Sequence, residues 1–267
     1  MIGQDKLVSK LKSYTIQTLP HSILLLGEQG CGKHTLTKEL ANYFGIDLVD
    51  ISNNITLDTL IEISDKPIPT MYLIDCSVLT DKHQNILLKC LEEPSMYAYF
   101  VLLSVNKAML LQTVANRCVS FEFEPYTKEV LAQFVQDDAN VLNVCTTPGQ
   151  VLSLHSGDLT NLETFCYTIV TRIGRANYPN TLSIVKKVNL KDEYDKYDIN
   201  VFFNTLLSVI YETMTTNYSD KLFEMYNLVS DYKKRLRDSR LNKEYFMENF
   251  LTTLWEFARW VQWVMKV

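Results

Sequence analysis

The first part of the chain alternates short apolar runs with segments of helical periodicity. Continuous runs of aliphatic and aromatic side chains are typical of strands that are buried on both faces of a parallel sheet. Because helical segments separate these runs, the pattern predicts a three-layer α/β domain with a parallel five-stranded sheet. The predicted strands are residues 22–26, 47–51, 71–75, 99–105 and 118–123, the last with Val119, Phe121 and Phe123 in alternation.

Spacing and end signals mark the helices of this region. Leu7, Val8 and Leu11 recur at helical spacing near the start of the chain. Thr80 is a good N-cap for a helix that should end at residue 93, before Pro94. Two further helices are predicted at residues 36–44 and 57–63.

From Thr127 onwards the pattern is helical. The stretch 251–264 is too apolar for a free surface helix, so we interpret it as core, with packing against another subunit as the alternative. Helices are predicted at residues 127–135, 148–155, 159–173, 201–215, 222–236 and 243–265, and a charged loop at 190–197. These patterns divide the chain into three predicted domains, residues 1–125, 126–157 and 158–267.

Composition narrows the class of protein. The net charge of −5 argues against a dominant nonspecific surface for nucleic acid or membrane, although local basic patches stay open. No apolar run approaches the ~18 residues that cross a bilayer, and no signal peptide opens the chain, so we expect a cytoplasmic protein. The six cysteines are scattered without a C-x-x-C pair, which indicates free thiols and no zinc site.

A glycine loop follows the first predicted strand and leads into a helix. Gly27, Gly30 and Gly32 let backbone N–H groups converge on an anion, and Lys33 can reach the outer phosphates. The spacing fits the phosphate-loop pattern G-x-x-x-x-G-K-[ST] until its last position. The alternative is a plain turn between strand and helix.

Two substitutions weaken this nucleotide site. His34 stands where a hydroxyl would bind Mg²⁺, and Thr35 points about 100° away on a helix. Asp75 closes the third predicted strand as a Walker B aspartate would, but Cys76 follows it where a glutamate normally activates water. We therefore expect ATP and Mg²⁺ to bind weakly or not at all, and the site to be degenerate for hydrolysis.

Two more polar residues border the predicted sheet. Asn106 follows the fourth strand at the edge where ligands bind, unless it is only a turn residue. Arg117 precedes the fifth strand. A solvated surface arginine is the plain alternative to an arginine finger that acts on a neighbouring subunit.

Four motifs together resemble the clamp-loader subunits of the AAA+ family. The segment from Gln84 to Pro94 is similar to their N-x-L-L-K-x-L-E-E-P helix, and Asn116-Arg117-Cys118 resembles their S-R-C motif. Ile2-Gly3-Gln4 and Pro20-His21-Ser22 resemble their V-G-Q and P-H-A signatures. The motifs occur in the family's order between residue 2 and about 125, and the helical remainder is consistent with a lid and a collar.

The resemblance is strongest to delta-prime-like subunits of DNA polymerase III, or a phage counterpart. It implies a ring with gamma/tau-like and delta-like subunits that loads a sliding clamp onto primer-template DNA. In such subunits a degenerate ATP site accompanies a finger that acts in trans. By resemblance, Arg117 is that finger, Asn106 the sensor 1 residue and Asp75 the Walker B residue.

Several features depart from the pattern. Asn116 replaces the serine of S-R-C, residues 36–70 lack the cysteines of the zinc module of bacterial relatives, and the sensor 2 region, 147–151, has no arginine. The compact form suggests a phage or a reduced genome. The alternatives are an active gamma/tau-like ATPase subunit and an unrelated P-loop protein such as a small kinase or helicase loader. Basic candidates for DNA contact are Lys82, Lys89, Lys107 and the run 233–240, which we expect to be a solvated face or to pair with acidic neighbours.

Overall fold

The structure is a computed structural model that describes residues 2–136, 138–154, 158–173, 198–236 and 243–264. It divides into two compact units, Met1–Val130 and Leu131–Val267. Each unit is described by itself.

The first unit is built on the predicted five-stranded sheet. All neighbouring strands pair in parallel, in the order β2-β3-β4-β1-β5. The central strands are wholly or almost wholly buried, whereas β2 and β5 form the edges and are largely exposed. The strands are β1 Ser22–Leu26, β2 Asp47–Asp50, β3 Thr70–Asp75, β4 Ala98–Ser104 and β5 Val119–Glu122.

Helices cover both faces of this sheet. Thr80 caps α4, and its side chain and that of His83 form a reciprocal capping box. Thr56 caps α3 through a hydrogen bond from the Thr59 N–H. The helices of this unit are α1 Asp5–Lys12, α2 Lys33–Phe44, α3 Leu57–Asp65, α4 Asp81–Glu92 and α5 Gln112–Ala115.

Alternation along the strands produces two separate cores. Successive side chains of a strand point to opposite faces, so each continuous apolar run serves both. One core joins alternate strand residues to α3, α4 and α5, and the other joins the intervening residues to α1 and α2. The first contains Leu24, Tyr72, Ile74, Phe100 and Leu102, and the second contains Ile23, Leu25, Leu73, Val101 and Leu103. The three-layer α/β prediction is confirmed.

The second unit is helical around an aromatic cluster. The ring of Phe250 lies 4.8 Å from that of Phe203 and 5.2 Å from that of Tyr232, between ring centroids. The Tyr232 hydroxyl donates to Asn249 Oδ1 over 2.6 Å, which satisfies its polar end. The long helices are α8 Asp158–Arg172, α9 Ile199–Thr216, α10 Asp220–Arg235 and α11 Lys243–Val264; α7 Pro148–Ser153 is short, and the short α6 Lys128–Leu131 contains the boundary between the two units.

Most predicted helices are present. The helix predicted at 127–135 is shorter, because α6 gives way to a 3₁₀ turn at Ala132–Phe134. In the C-terminal helix Leu251 and Leu254 are buried and Trp255 is half-buried, which agrees with the core interpretation for its first half. The side chains of Trp260 and Trp263, the predicted helix ends at His155 and Met265, and the predicted loop 190–197 lie outside the described residues.

The domain boundaries remain predictions. The two compact units meet between Val130 and Leu131, a few residues after the boundary predicted at 125/126. Within the second unit, Gln150 Nε2 donates to Asp198 Oδ1 over 3.2 Å, so the segments on either side of residue 158 are in contact. In the described ranges, no helix has the length and apolar character of a membrane span.

All six cysteines are free thiols, in agreement with the sequence-based expectation. Five are buried, and Cys118 is half-buried.

Gln84 connects α4 to the segment before α5, and this connection yields a stability prediction. Its Nε2 donates to the Met109 carbonyl over 3.2 Å, and its Oε1 accepts from the Leu111 N–H over 2.7 Å. Gln84→Ala leaves both backbone groups without these partners and should lower the free energy of unfolding by about 1–3 kcal/mol. Urea denaturation measures this. The exposed neighbour Asn85→Ala is the matched control, and equal losses in both variants would contradict the assignment.

Candidate functional site

Three of the predicted site residues converge at the carboxyl ends of neighbouring strands. Gly27 follows β1, Asp75 ends β3, and Asn106 comes two residues after β4. These strands are neighbours in the order β3-β4-β1, and all run in the same direction. Their carboxyl ends therefore meet where ligands bind in open α/β sheets.

Positive φ angles explain two of the glycines in the glycine loop. Gly30 and Gly32 have φ of 80° and 99°, a region that favours glycine. A Cβ on Gly27 would lie 2.7 Å from Cys31 Sγ and 2.9 Å from Phe123 Cβ, so a larger residue would displace the loop. The loop enters α2 at Lys33, which places a helix N-terminus against it.

Lys33 lies folded back over this loop. Its Nζ donates to the Gly27 carbonyl over 2.6 Å and to the Glu28 carbonyl over 2.9 Å. Burial lowers the pKa of Lys33, while Cys31 and Asp75 favour its charged form. If an anion entered the loop, its oxygens would have to replace these two carbonyls as partners of Lys33.

The first turn of α2 offers little for a metal ion. The side chains of His34 and Thr35 are both exposed. The Thr37 hydroxyl is buried and donates to the Lys33 carbonyl over 2.9 Å, so it serves the helix itself. An imidazole at position 34 is a poor ligand for a hard cation that prefers oxygen.

Asp75 and Cys76 have opposite environments. The Asp75 carboxylate is half-buried and accepts from the Ser77 N–H over 2.9 Å, while its own N–H donates to Ser52 Oγ over 2.8 Å. Cys76 is 2% exposed, and burial, reinforced by the Asp75 charge, raises the pKa of its thiol. The thiol therefore stays protonated at neutral pH and cannot act as a general base.

Asn106 lies half-buried near the same carboxyl ends of the strands. Its backbone carbonyl accepts from the Ser104 hydroxyl over 2.7 Å, and a 3₁₀ turn begins at the following residue, Lys107. The backbone thus holds Asn106 beside the end of β4.

Arg117 lies near the amino-terminal ends of the strands, opposite to these three residues. It precedes β5, whose first residue, Val119, pairs with Ile23 near the start of β1. From Ile23 to Gly27 the strand rises on the order of 13 Å, at about 3.3 Å per residue. That span exceeds the reach of an arginine side chain, so Arg117 does not join the loop of its own chain.

Three long-range side-chain contacts around the glycine loop, β5 and Arg117 were not predicted from the sequence. Gln4 exchanges two hydrogen bonds with the Glu124 backbone, at 2.8 and 3.0 Å. The Tyr126 hydroxyl donates to the Cys31 carbonyl of the loop over 2.6 Å, and burial raises the pKa of Tyr126 to about 12, so this donor stays protonated. Glu92 forms an ion pair with Arg117. Glu92 lies at the carboxyl end of α4, where a carboxylate is unfavourable. This position is a sign in the sequence that Glu92 has a cationic partner.

A family model and several known proteins match this chain. The model described as DNA polymerase III, delta subunit, matches residues 62–127. The Replication factor C small subunit of Methanococcus vannielii is 25% identical over 155 residues, which are 51% of this chain and 49% of that protein. The DNA polymerase III subunit gamma of Buchnera aphidicola subsp. Acyrthosiphon pisum is 25% identical over 171 residues, with coverage of 51% and 47%. The chain spans about half the length of these relatives.

A solved structure matches over nearly the whole chain. The DNA polymerase III gamma subunit-related protein of Thermotoga maritima aligns with a TM-score of 0.51 at 18% identity, over 94% of this chain and 99% of that one. The shared fold is a P-loop α/β domain followed by helices. The family model and the relatives show that this chain is similar in sequence to clamp-loader subunits over part of its length.

Proposed function

We propose that the chain is a delta-prime-like subunit of a DNA-replication clamp loader that helps to load the sliding clamp onto primed DNA. Its own nucleotide site is degenerate, and Arg117 acts in trans on the ATP of a neighbouring subunit. The clamp-loader relatives support the broader role. The observation that carries the finer proposal is the position of Arg117 across the sheet from its own phosphate loop.

The chain's own residues fit ATP in part. Backbone N–H groups of the glycine loop and Lys33 would hold the phosphates, and Asp75 would hold Mg²⁺, directly or through water. The hydroxyl ligand is missing at His34, and the buried Cys76 thiol cannot activate water. Binding without turnover is the expected behaviour of this combination.

The exposure of Arg117 supports the proposed finger role. Its side chain is 33% exposed, so a neighbouring subunit can reach the guanidinium. A finger supplied in trans stabilises the charge that develops on the transferred phosphate, and is worth about 10³–10⁵ in rate. Asn116, which replaces the serine of the family motif, leaves the arginine in place.

The proposed partners are gamma/tau-like and delta-like subunits, the sliding clamp and primer-template DNA. Lys82, Lys89 and Lys107 are exposed and available for phosphate contacts. In the basic run 233–240, Lys234 pairs with Asp231 over 3.0 Å and Arg235 lies 5.1 Å from the Tyr232 ring centre. Arg237 and Arg240 lie outside the described residues.

An active gamma/tau-like ATPase is the second candidate. The intact glycine loop, Lys33 and Asp75 favour it, and a DNA polymerase III subunit gamma is among the relatives. In that case His34 and Cys76 are tolerated replacements. The two candidates differ in whether the purified chain hydrolyses ATP.

Arg117→Ala should abolish the contribution of one neighbouring site to the loader's DNA-stimulated ATPase. We expect a drop of about 10³-fold at that site, because transition-state charge loses its partner. Phosphate release by the loader, assembled from this chain and its natural partner subunits, measures the loss. Arg172→Ala removes another exposed arginine and is the control. An unchanged rate at full assembly would exclude the finger.

Lys33→Ala should leave the assembled loader's ATPase within about a factor of two, because hydrolysis takes place at other sites. The purified chain with Mg²⁺ should release no phosphate from ATP, whether or not titration calorimetry detects binding. Steady turnover by the isolated chain that Lys33→Ala abolishes would establish the active-ATPase candidate instead.

A further inference from the structure

Two contacts from different elements hold the guanidinium of Arg117. Nη1 donates to the Thr113 carbonyl of α5 over 2.7 Å. Nη2 forms an ion pair with Glu92 in the last turn of α4. The group is therefore fixed to its own chain on two sides, while its side chain stays 33% exposed.

Helix stability does not account for Glu92. The carboxyl end of a helix carries partial negative charge, so a carboxylate in the last turn is unfavourable there. Glu92 is followed by a second glutamate, Glu93, and both are exposed. The ion pair with the Arg117 guanidinium compensates the unfavourable charge of Glu92 at the end of α4.

Pre-orientation matters for an arginine that meets its target on a neighbouring subunit. A free arginine side chain has many rotamers, and ordering it opposes the contact that it makes. A guanidinium has five N–H donors, and the two contacts on its own chain leave donors for a phosphate. Arg117 can thus keep both contacts while it engages a neighbour.

We infer that Glu92 is the positioning residue of Arg117: it holds the guanidinium in the orientation in which it meets the nucleotide of the neighbouring subunit. This inference rests on the proposed function, because it assigns Glu92 a part in the reaction that Arg117 serves. Glu92 acts through Arg117 and touches no substrate.

The first measurement uses the isolated chain and does not depend on the proposed function. Because both Nη atoms of Arg117 are held, we expect rotation about its Nε–Cζ bond to be slow, and side-chain ¹⁵N NMR can detect this rotation. Arg117→Lys identifies the signal. Glu92→Ala should speed this rotation, whereas Glu93→Ala, the matched control, should leave it unchanged. Thermal unfolding of each variant checks that the fold is retained.

The second measurement is the ATPase rate of the assembled loader. Glu92→Ala should lower kcat about two- to tenfold with little change in the KM for ATP, because the contact matters in the transition state. Glu92→Gln keeps an acceptor oxygen and should retain more of the rate. Glu93→Ala should behave as the unmodified chain.

The outcomes separate the two ideas. Unchanged Arg117 rotation in Glu92→Ala overturns the positioning role. So does a normal ATPase rate in Glu92→Ala when Arg117→Ala lowers it. An unchanged rate in Arg117→Ala overturns the proposed function, and the inference with it. Faster rotation together with a lower kcat, partly restored in Glu92→Gln, supports the inference.

Discussion

The single direction of the five strands is the constraint on which the chemistry of this protein depends. Because β1, β3 and β4 run in parallel as neighbours, Gly27, Asp75 and Asn106 come together at the carboxyl ends of these strands. The pairing of β5 with β1 places the start of β5, and with it Arg117, at the amino-terminal ends. The groups proposed to bind phosphate therefore lie at one end of the strands, and the proposed arginine finger lies at the opposite end. The proposed contact between subunits would join these unlike faces, and a heterologous contact of this kind generates rings or open chains.

The phosphate loop has a structural role that does not require hydrolysis. Gly27 packs against Phe123, the Tyr126 hydroxyl holds the Cys31 carbonyl, and Lys33 satisfies two carbonyls of the loop. The contacts of Phe123 and Tyr126 join the loop to the segment after β5, and those of Lys33 lie within the loop. None of these contacts involves the side chains of His34 or Cys76. These contacts of the loop therefore do not depend on the residue types at positions 34 and 76.

The features that could be predicted from the sequence are those that a local pattern of residues determines. Apolar runs located all five strands within one or two residues, and Thr80 located the start of α4. The edge position of β5 was not visible, so Val119, 44% exposed, was predicted to alternate with Phe121 as part of a buried strand. The contacts of Gln4 with Glu124 and of Glu92 with Arg117 join residues far apart in the chain. Periodicity carries no information about such pairs, because it reports which face a residue occupies and not what it meets there.

The burial of the thiols has a practical consequence for following this protein in an assembly. Five of the six cysteines are buried, and burial raises the pKa of the half-buried Cys118 to about 12. Native thiols will thus react slowly with maleimide dyes while the fold is intact. A cysteine introduced at an exposed position such as Met96, which is 72% exposed between α4 and β4, would carry nearly all of the label. The unaltered chain is thus already a suitable background for single-site fluorescence labelling.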